Sequence, residues 1–115
     1  MTTQASNDDR IALLQGTLDL LILKALALSP MHGWGICDHI NSLSGGAFKI
    51  GQGSMYPALH RFENRGWVIS YWRQTPNNRI ARLYELTPGG KHALENEIAV
   101  WRSYTSAMDR VIQAQ

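Results

Sequence analysis

At 115 residues the chain has room for one domain built on one modest core. Its longest apolar run, Leu18 to Leu28, is broken by Asp19 and Lys24; it falls short of the roughly 20 apolar residues that a bilayer span requires, so no membrane partner is expected. Net charge is only +2, yet residues 49–82 carry six Lys/Arg (Lys49, Arg61, Arg65, Arg73, Arg79, Arg82) against one acid, Glu63, so basic charge is concentrated in one stretch.

Residues 1–12, polar and acidic, are expected to form a flexible tail. They show no basic region leading into an apolar stretch and cleavage site, so no signal peptide is expected. The single cysteine, Cys37, has no internal disulfide partner, which fits a cytoplasmic protein. A first helix is predicted from Thr17, as N-cap, to Leu28, apolar nearly all round and stopped by Ser29-Pro30. A second runs from Gly33 to Leu43 with Ile36, Ile40 and Leu43 inward, and Ser44-Gly45-Gly46 ends it. The third spans roughly Ser54 to Arg65, with Met55, Leu59 and Phe62 inward and Pro57 tolerated in the first turn. Val68–Gln74 and Ile80–Leu86 alternate as strands, and Thr75-Pro76-Asn77-Asn78-Arg79 supplies the hairpin turn. Thr87-Pro88 then opens a last helix that runs to the C-terminus.

In that helix Leu94, Ile98, Trp101, Thr105, Met108 and Ile112 recur at spacings of four and three, a heptad seam that predicts a homodimer interface. Three helices, a two-stranded ribbon and a trailing helix make a mainly α fold with a β-hairpin. The predicted architecture is a winged helix-turn-helix over residues 13–87 followed by a dimerisation helix over 88–115. A basic helix next to a basic hairpin suits a polyanion, and double-stranded DNA is the expected partner.

These residues resemble the PadR family of bacterial transcriptional regulators. The matching stretches are Gln15-Gly-Thr-Leu-Asp-Leu-Leu-Ile-Leu23, Met31-His-Gly-Trp-Gly-Ile36, Gly53-Ser-Met-Tyr-Pro-Ala-Leu-His-Arg-Phe-Glu63, Gly66-Trp67 and Arg82-Leu-Tyr-Glu-Leu-Thr-Pro-Gly-Gly90. The family more often has tyrosine in place of Trp34, and leucine in place of Met55 and Phe62. The short C-terminal helix resembles that of the smaller subfamily. The resemblance implies a homodimeric regulator, usually a repressor, that binds an inverted-repeat operator and is released by a small aromatic or lipophilic effector. In close relatives a tryptophan at the position of Trp101 lines a central cavity, which makes Trp101 the candidate effector contact.

Candidate DNA contacts follow from chemistry. Ser54, the third helix's first N–H groups and the Tyr56 hydroxyl suit phosphate; Pro57 lies on the same surface; His60 and Arg61 suit base edges or backbone. Arg73, Asn77, Asn78 and Arg79 lie on or near the hairpin tip, where minor-groove or phosphate contacts are expected, whereas Arg82, nearer the base, reads as structural. Trp34, Trp67 and Trp72 are assigned structural roles, Trp67 sealing the core and Trp72 facing solvent or the hairpin's groove. His32, Cys37 and His39 lack the helical spacing of zinc ligands, so no metal and no cofactor is expected. No nucleophile elbow, phosphate-cradling glycine loop or apolar carboxylate pair is present, which argues against an enzyme. A winged helix that binds protein instead of DNA is the alternative reading.

Overall fold

The structure is a computed structural model and describes residues 16–115. The expected tail and the first residues of the expected winged-helix domain lie outside the described residues. Helices α1 (Thr17–Leu28), α2 (Gly33–Leu43), α3 (Gln52–Asn64) and α4 (Pro88–Ile112) surround a small sheet of β1 (Met31–His32), β2 (Val68–Gln74) and β3 (Ile80–Leu86). The sheet is three-stranded and antiparallel in the order β1-β3-β2, so the expected two-stranded ribbon gains a short strand between α1 and α2. Met31 pairs with Tyr84 and His32 with Leu83. Two residues after a proline are too few for a sequence pattern, and only the neighbouring β3 makes them a strand.

Helix α1 carries Ile22, Leu23, Ala25 and Leu26 at the centre of the core. Its N-cap is Gly16, at φ 90, a left-handed conformation that suits glycine; Thr17, expected as the cap, is the first helical residue. His32 caps α2, its Nδ1 accepting the Gly35 N–H at 3.0 Å. Ile36 and Ile40 are buried as expected, but Leu43 is 66% exposed, because the core ends at Ile40 and the last turn overhangs it. Helix α3 buries Met55, Ala58, Leu59 and Phe62. It starts at Gln52, two residues earlier than expected, which puts Pro57 in the second turn; lacking an N–H, Pro57 leaves the Gly53 carbonyl without its helical donor. Gly66, at φ 76, ends the helix, and Trp67 turns back onto Phe62 with ring centroids 5.5 Å apart. No helix among the described residues is long and apolar enough to cross a membrane.

The hairpin and α4 share one joint. The Thr87 hydroxyl accepts the Gly90 N–H at 3.0 Å and donates to the Gly66 carbonyl at 2.6 Å. The Thr87 N–H bonds the Trp67 carbonyl at 2.9 Å, locking the end of β3 to the start of β2. From there α4 packs Ala93, Leu94 and Ile98 on the core. Leu94, expected on the dimer seam, is only 7% exposed within its own chain, so it belongs to the domain core. Residues 88–98 are thus part of the globular unit, and the boundary at 87/88 is no break in packing. A side chain at position 90 has no room: its Cβ would fall 2.1 Å from the Trp67 carbonyl oxygen, a backbone atom that does not yield easily. Gly90→Ala is therefore expected to lower the unfolding free energy by about 1–3 kcal/mol or more, read from urea denaturation. A midpoint equal to wild type would show that the joint is loose.

Candidate nucleic-acid interface

The register of the hairpin decides what faces α3. Val68 pairs with Leu86, Ser70 with Tyr84, Trp72 with Arg82 and Gln74 with Ile80. Paired side chains share a face, so one sheet face runs from the core at Val68 and Leu86 outward through Tyr84 to Trp72 and Arg82. Beyond the core, this face forms one wall of a cleft of about 1000 Å³. Trp34 and Tyr56 line the cleft from α2 and α3, and Trp72, Asn77, Arg79 and Arg82 line it from the hairpin. A second cleft of about 780 Å³ shares Tyr56, Arg82 and Tyr84 and continues along α3 past Pro57, His60 and Asn64. Together they form one open groove between α3 and the hairpin.

The groove's floor is held by a polar cluster. Arg82 donates from Nε to Ser70 Oγ at 3.0 Å, and its Nη2 lies 2.8 Å from Ser70 Oγ and 3.3 Å from Glu63 Oε2. Ser70 Oγ donates to the same carboxylate oxygen at 2.7 Å. The Arg82 guanidinium also lies 5.8 Å from the ring centroids of both Trp72 and Tyr84. Arg82 thus has the structural role expected of it while still lining the groove, and it offsets the only acid of the basic stretch. Burial pushes the Tyr84 phenol above its ordinary pKa, with Arg82 acting in the opposite direction, so Tyr84 stays a neutral donor at physiological pH.

Among the expected contact residues, Tyr56, Pro57, His60, Asn77 and Arg79 line this groove. The others do not gather there. Arg61 turns to α1 and pairs with Asp19, Nη2 to Oδ1 at 2.9 Å. Arg73 follows Trp72 and so lies on the opposite sheet face, 5.4 Å from the Tyr71 ring centroid. Ser54 is exposed in the first turn of α3, its N–H already bonded to the Gly51 carbonyl at 3.2 Å. Asn78, at φ 65, serves the turn and accepts a hydrogen bond from Gln74 Nε2. Conversely, Trp34, assigned a structural role in the sequence, is 61% exposed and sits in the groove, and Trp72, expected to face solvent or this groove, is 67% exposed and lines it. Alternation along β2 already put Trp72 on the face of Val68; for Trp34, one residue after a glycine at a helix start, no pattern distinguished burial from exposure.

The comparisons with known proteins agree with this architecture. The sequence profile of the "Transcriptional regulator PadR-like family" matches residues 22–96. A transcriptional regulator from Mycobacterium tuberculosis is 33% identical over 68% of this chain and 69% of its own length. A transposon-encoded protein from Streptomyces fradiae is 38% identical over 68% of this chain, which spans only 21% of that protein. The crystal structure of a PadR family transcription regulator from Clostridium difficile superposes with a TM-score of 0.72 at 28% identity, covering 84% of this chain and 99% of the other.

The chain belongs to the PadR-like family of transcriptional regulators. It is a regulator and not an enzyme. A separate cavity of about 450 Å³ lies in this PadR-like protein between the start of α1 and the outer half of α4, where Leu20, Glu97, Val100, Trp101 and Tyr104 line it. Trp101 stacks on Tyr104 with centroids 6.1 Å apart. Cys37 is half-buried with Sγ 3.6 Å from Met55 Sδ, and burial pushes its thiol above the ordinary pKa, which disfavours the reactive thiolate. His39 Nε2 is buried without a hydrogen-bond partner, but no group of three His, Cys, Asp or Glu among the described residues is placed to hold a metal ion.

Proposed function

We propose that this PadR-like regulator binds an inverted-repeat operator in duplex DNA as a homodimer and represses transcription until a small aromatic or lipophilic effector releases it. The observation that carries the reading is the open groove between α3 and the hairpin. It presents Tyr56, His60, Arg79 and Arg82, with the nearby Glu63 offset by Arg82. In this reading α3 enters the major groove, the hairpin tip reaches the flanking minor groove or its phosphates, and two dyad-related α3 helices stand roughly 34 Å apart. Arg61, held by Asp19, positions α3 on α1 instead of reading a base.

Dimerisation is supported by the outer half of α4, where Trp101, Tyr104, Met108 and Ile112 are 37–70% exposed at spacings of three and four. So much large apolar surface on one helix face calls for a cover, and Thr105 lies half-buried within it. Ile98 already packs against its own core, so it stands at the seam's inner edge. The effector reading rests on the cavity beside Trp101 and Tyr104: flat aromatic compounds gain dispersion and apolar burial against such rings.

Each part has its own measurement. In fluorescence-anisotropy titrations against labelled duplex, Arg79→Ala should weaken binding to all sequences and flatten the log K versus log salt slope by about one. An unchanged slope would remove Arg79 from the phosphate-contacting surface. A chain ending at Ala99 keeps Leu94 and Ile98 but lacks the exposed stripe; it should sediment as a folded monomer, and a dimer of that fragment would refute the seam. Planar dyes should quench tryptophan fluorescence and release operator, with both effects lost in Trp101→Ala while the dimer persists. Dye binding that survives this substitution would move the effector site elsewhere.

A further inference from the structure

Two of the largest exposed apolar side chains in the protein lie in the groove and have no role in the core. Trp34, 61% exposed, comes from the first turn of α2, and Trp72, 67% exposed, from the middle of β2. Both are held in place. Trp34 stacks on His32 with centroids 6.3 Å apart and planes 23° apart, and His32 is itself fixed by its cap to the Gly35 N–H. Trp72 lies beneath the Arg82 guanidinium, which Ser70 and Glu63 anchor. Between the two walls, the Tyr56 hydroxyl is packed against Gly33, where even a methyl group would come within 2.5 Å of it.

We propose that Trp34 and Trp72 grip one DNA strand by its sugar–phosphate backbone as that strand passes between α3 and the hairpin. The assignment rests on the DNA-binding reading above. With α3 in the major groove and the hairpin over the minor groove, the strand separating the two grooves of the duplex must run through the cleft that these indoles line. Deoxyribose offers C–H surface, which an indole face covers. The indole N–H is a donor only and a phosphate oxygen an acceptor, so one tryptophan meets both parts of the backbone. Arg79 and Arg82 on the same walls supply the charge complement. The cleft is open along its length, which suits a continuous strand and not an enclosed small molecule.

The contact is neutral and blind to base identity, and that gives it a signature no arginine shares. Removing a cation changes how binding responds to salt, because fewer counterions are released; removing an indole does not. Trp34→Ala and Trp72→Ala should each weaken both a selected operator and a mixed-sequence duplex by about tenfold, with salt slope and rank order of sequences unchanged. Trp34→Phe and Trp72→Phe, which keep a ring but lose the N–H, should fall in between, and they replace any Ala variant whose circular dichroism or melting departs from wild type. Arg79→Ala serves as the control with a flattened slope. If both tryptophan variants bind like wild type while wild type binds DNA steeply with salt, the assignment fails and the DNA reading stands. Loss confined to the operator would make the indoles base readers and overturn the backbone grip. A wild-type protein that binds no duplex at low salt would sink the DNA reading and this assignment with it.

Discussion

Burial of the central stretch of α1, from Ile22 to Leu26, is the constraint around which the molecule is built, although Lys24 on its outer side stays exposed. Ile22 and Leu23 are fully buried and Ala25 and Leu26 nearly so, and α2, β3 and α4 each pack on this one helix. A core this small has no second centre, so the hairpin-bearing half and the C-terminal arm share a single rigid element. Asp19, in the first turn of α1, adds a polar tie to Arg61 on α3. The pair is exposed and contributes little to stability, about 0–1 kcal/mol. Its value is in orientation: it pins the outer face of α3 to the helix on which α4 also rests.

A second constraint lies at the joint of Gly66, Trp67, Thr87 and Gly90. There the backbone of α4's first turn approaches the start of β2 so closely that position 90 excludes any side chain. The hairpin is thereby fixed at its base and free at its tip. One of its faces changes task along its length: Val68 and Leu86 close the core, Tyr84 and Ser70 bridge, and Trp72 and Arg82 stand outside it. A single alternating pattern thus serves both stability and the candidate interface, with no added element.

This continuity explains which groove residues were visible in advance. Tyr56, Pro57 and His60 follow from the helical period of α3, since burial of Met55, Leu59 and Phe62 turns them outward. Arg79 follows from its place in the turn. Arg61 and Arg73 lie outside the groove, which the sequence did not show for one reason: charge marks a residue as exposed but does not say which of several exposed faces it occupies. Arg61 faces Asp19, forty-two positions away in the chain, and Arg73 lies behind the sheet. Trp34 is the opposite case, because a large indole normally pairs with burial and only the finished surface shows this one outside the core; Trp72 faces the hairpin's groove, one of the two positions expected for it.

Local physics was sufficient for the rest. Hydrophobic period, turn chemistry and capping residues determined the three helices before the hairpin, its two long strands and the Thr87-Pro88 start of α4, because each depends on neighbours within a few positions. Tertiary structure alone decided the third strand at Met31–His32, which exists only because β3 runs beside it. It also decided where the domain ends and the arm begins. The heptad spacing of α4 is continuous from Leu94 to Ile112, and nothing in a periodic pattern tells a position covered by its own chain from one left open. Contact with α1 buries Leu94 and half-buries Ile98; beyond them the globular unit has run out, and the same repeat emerges as exposed apolar surface.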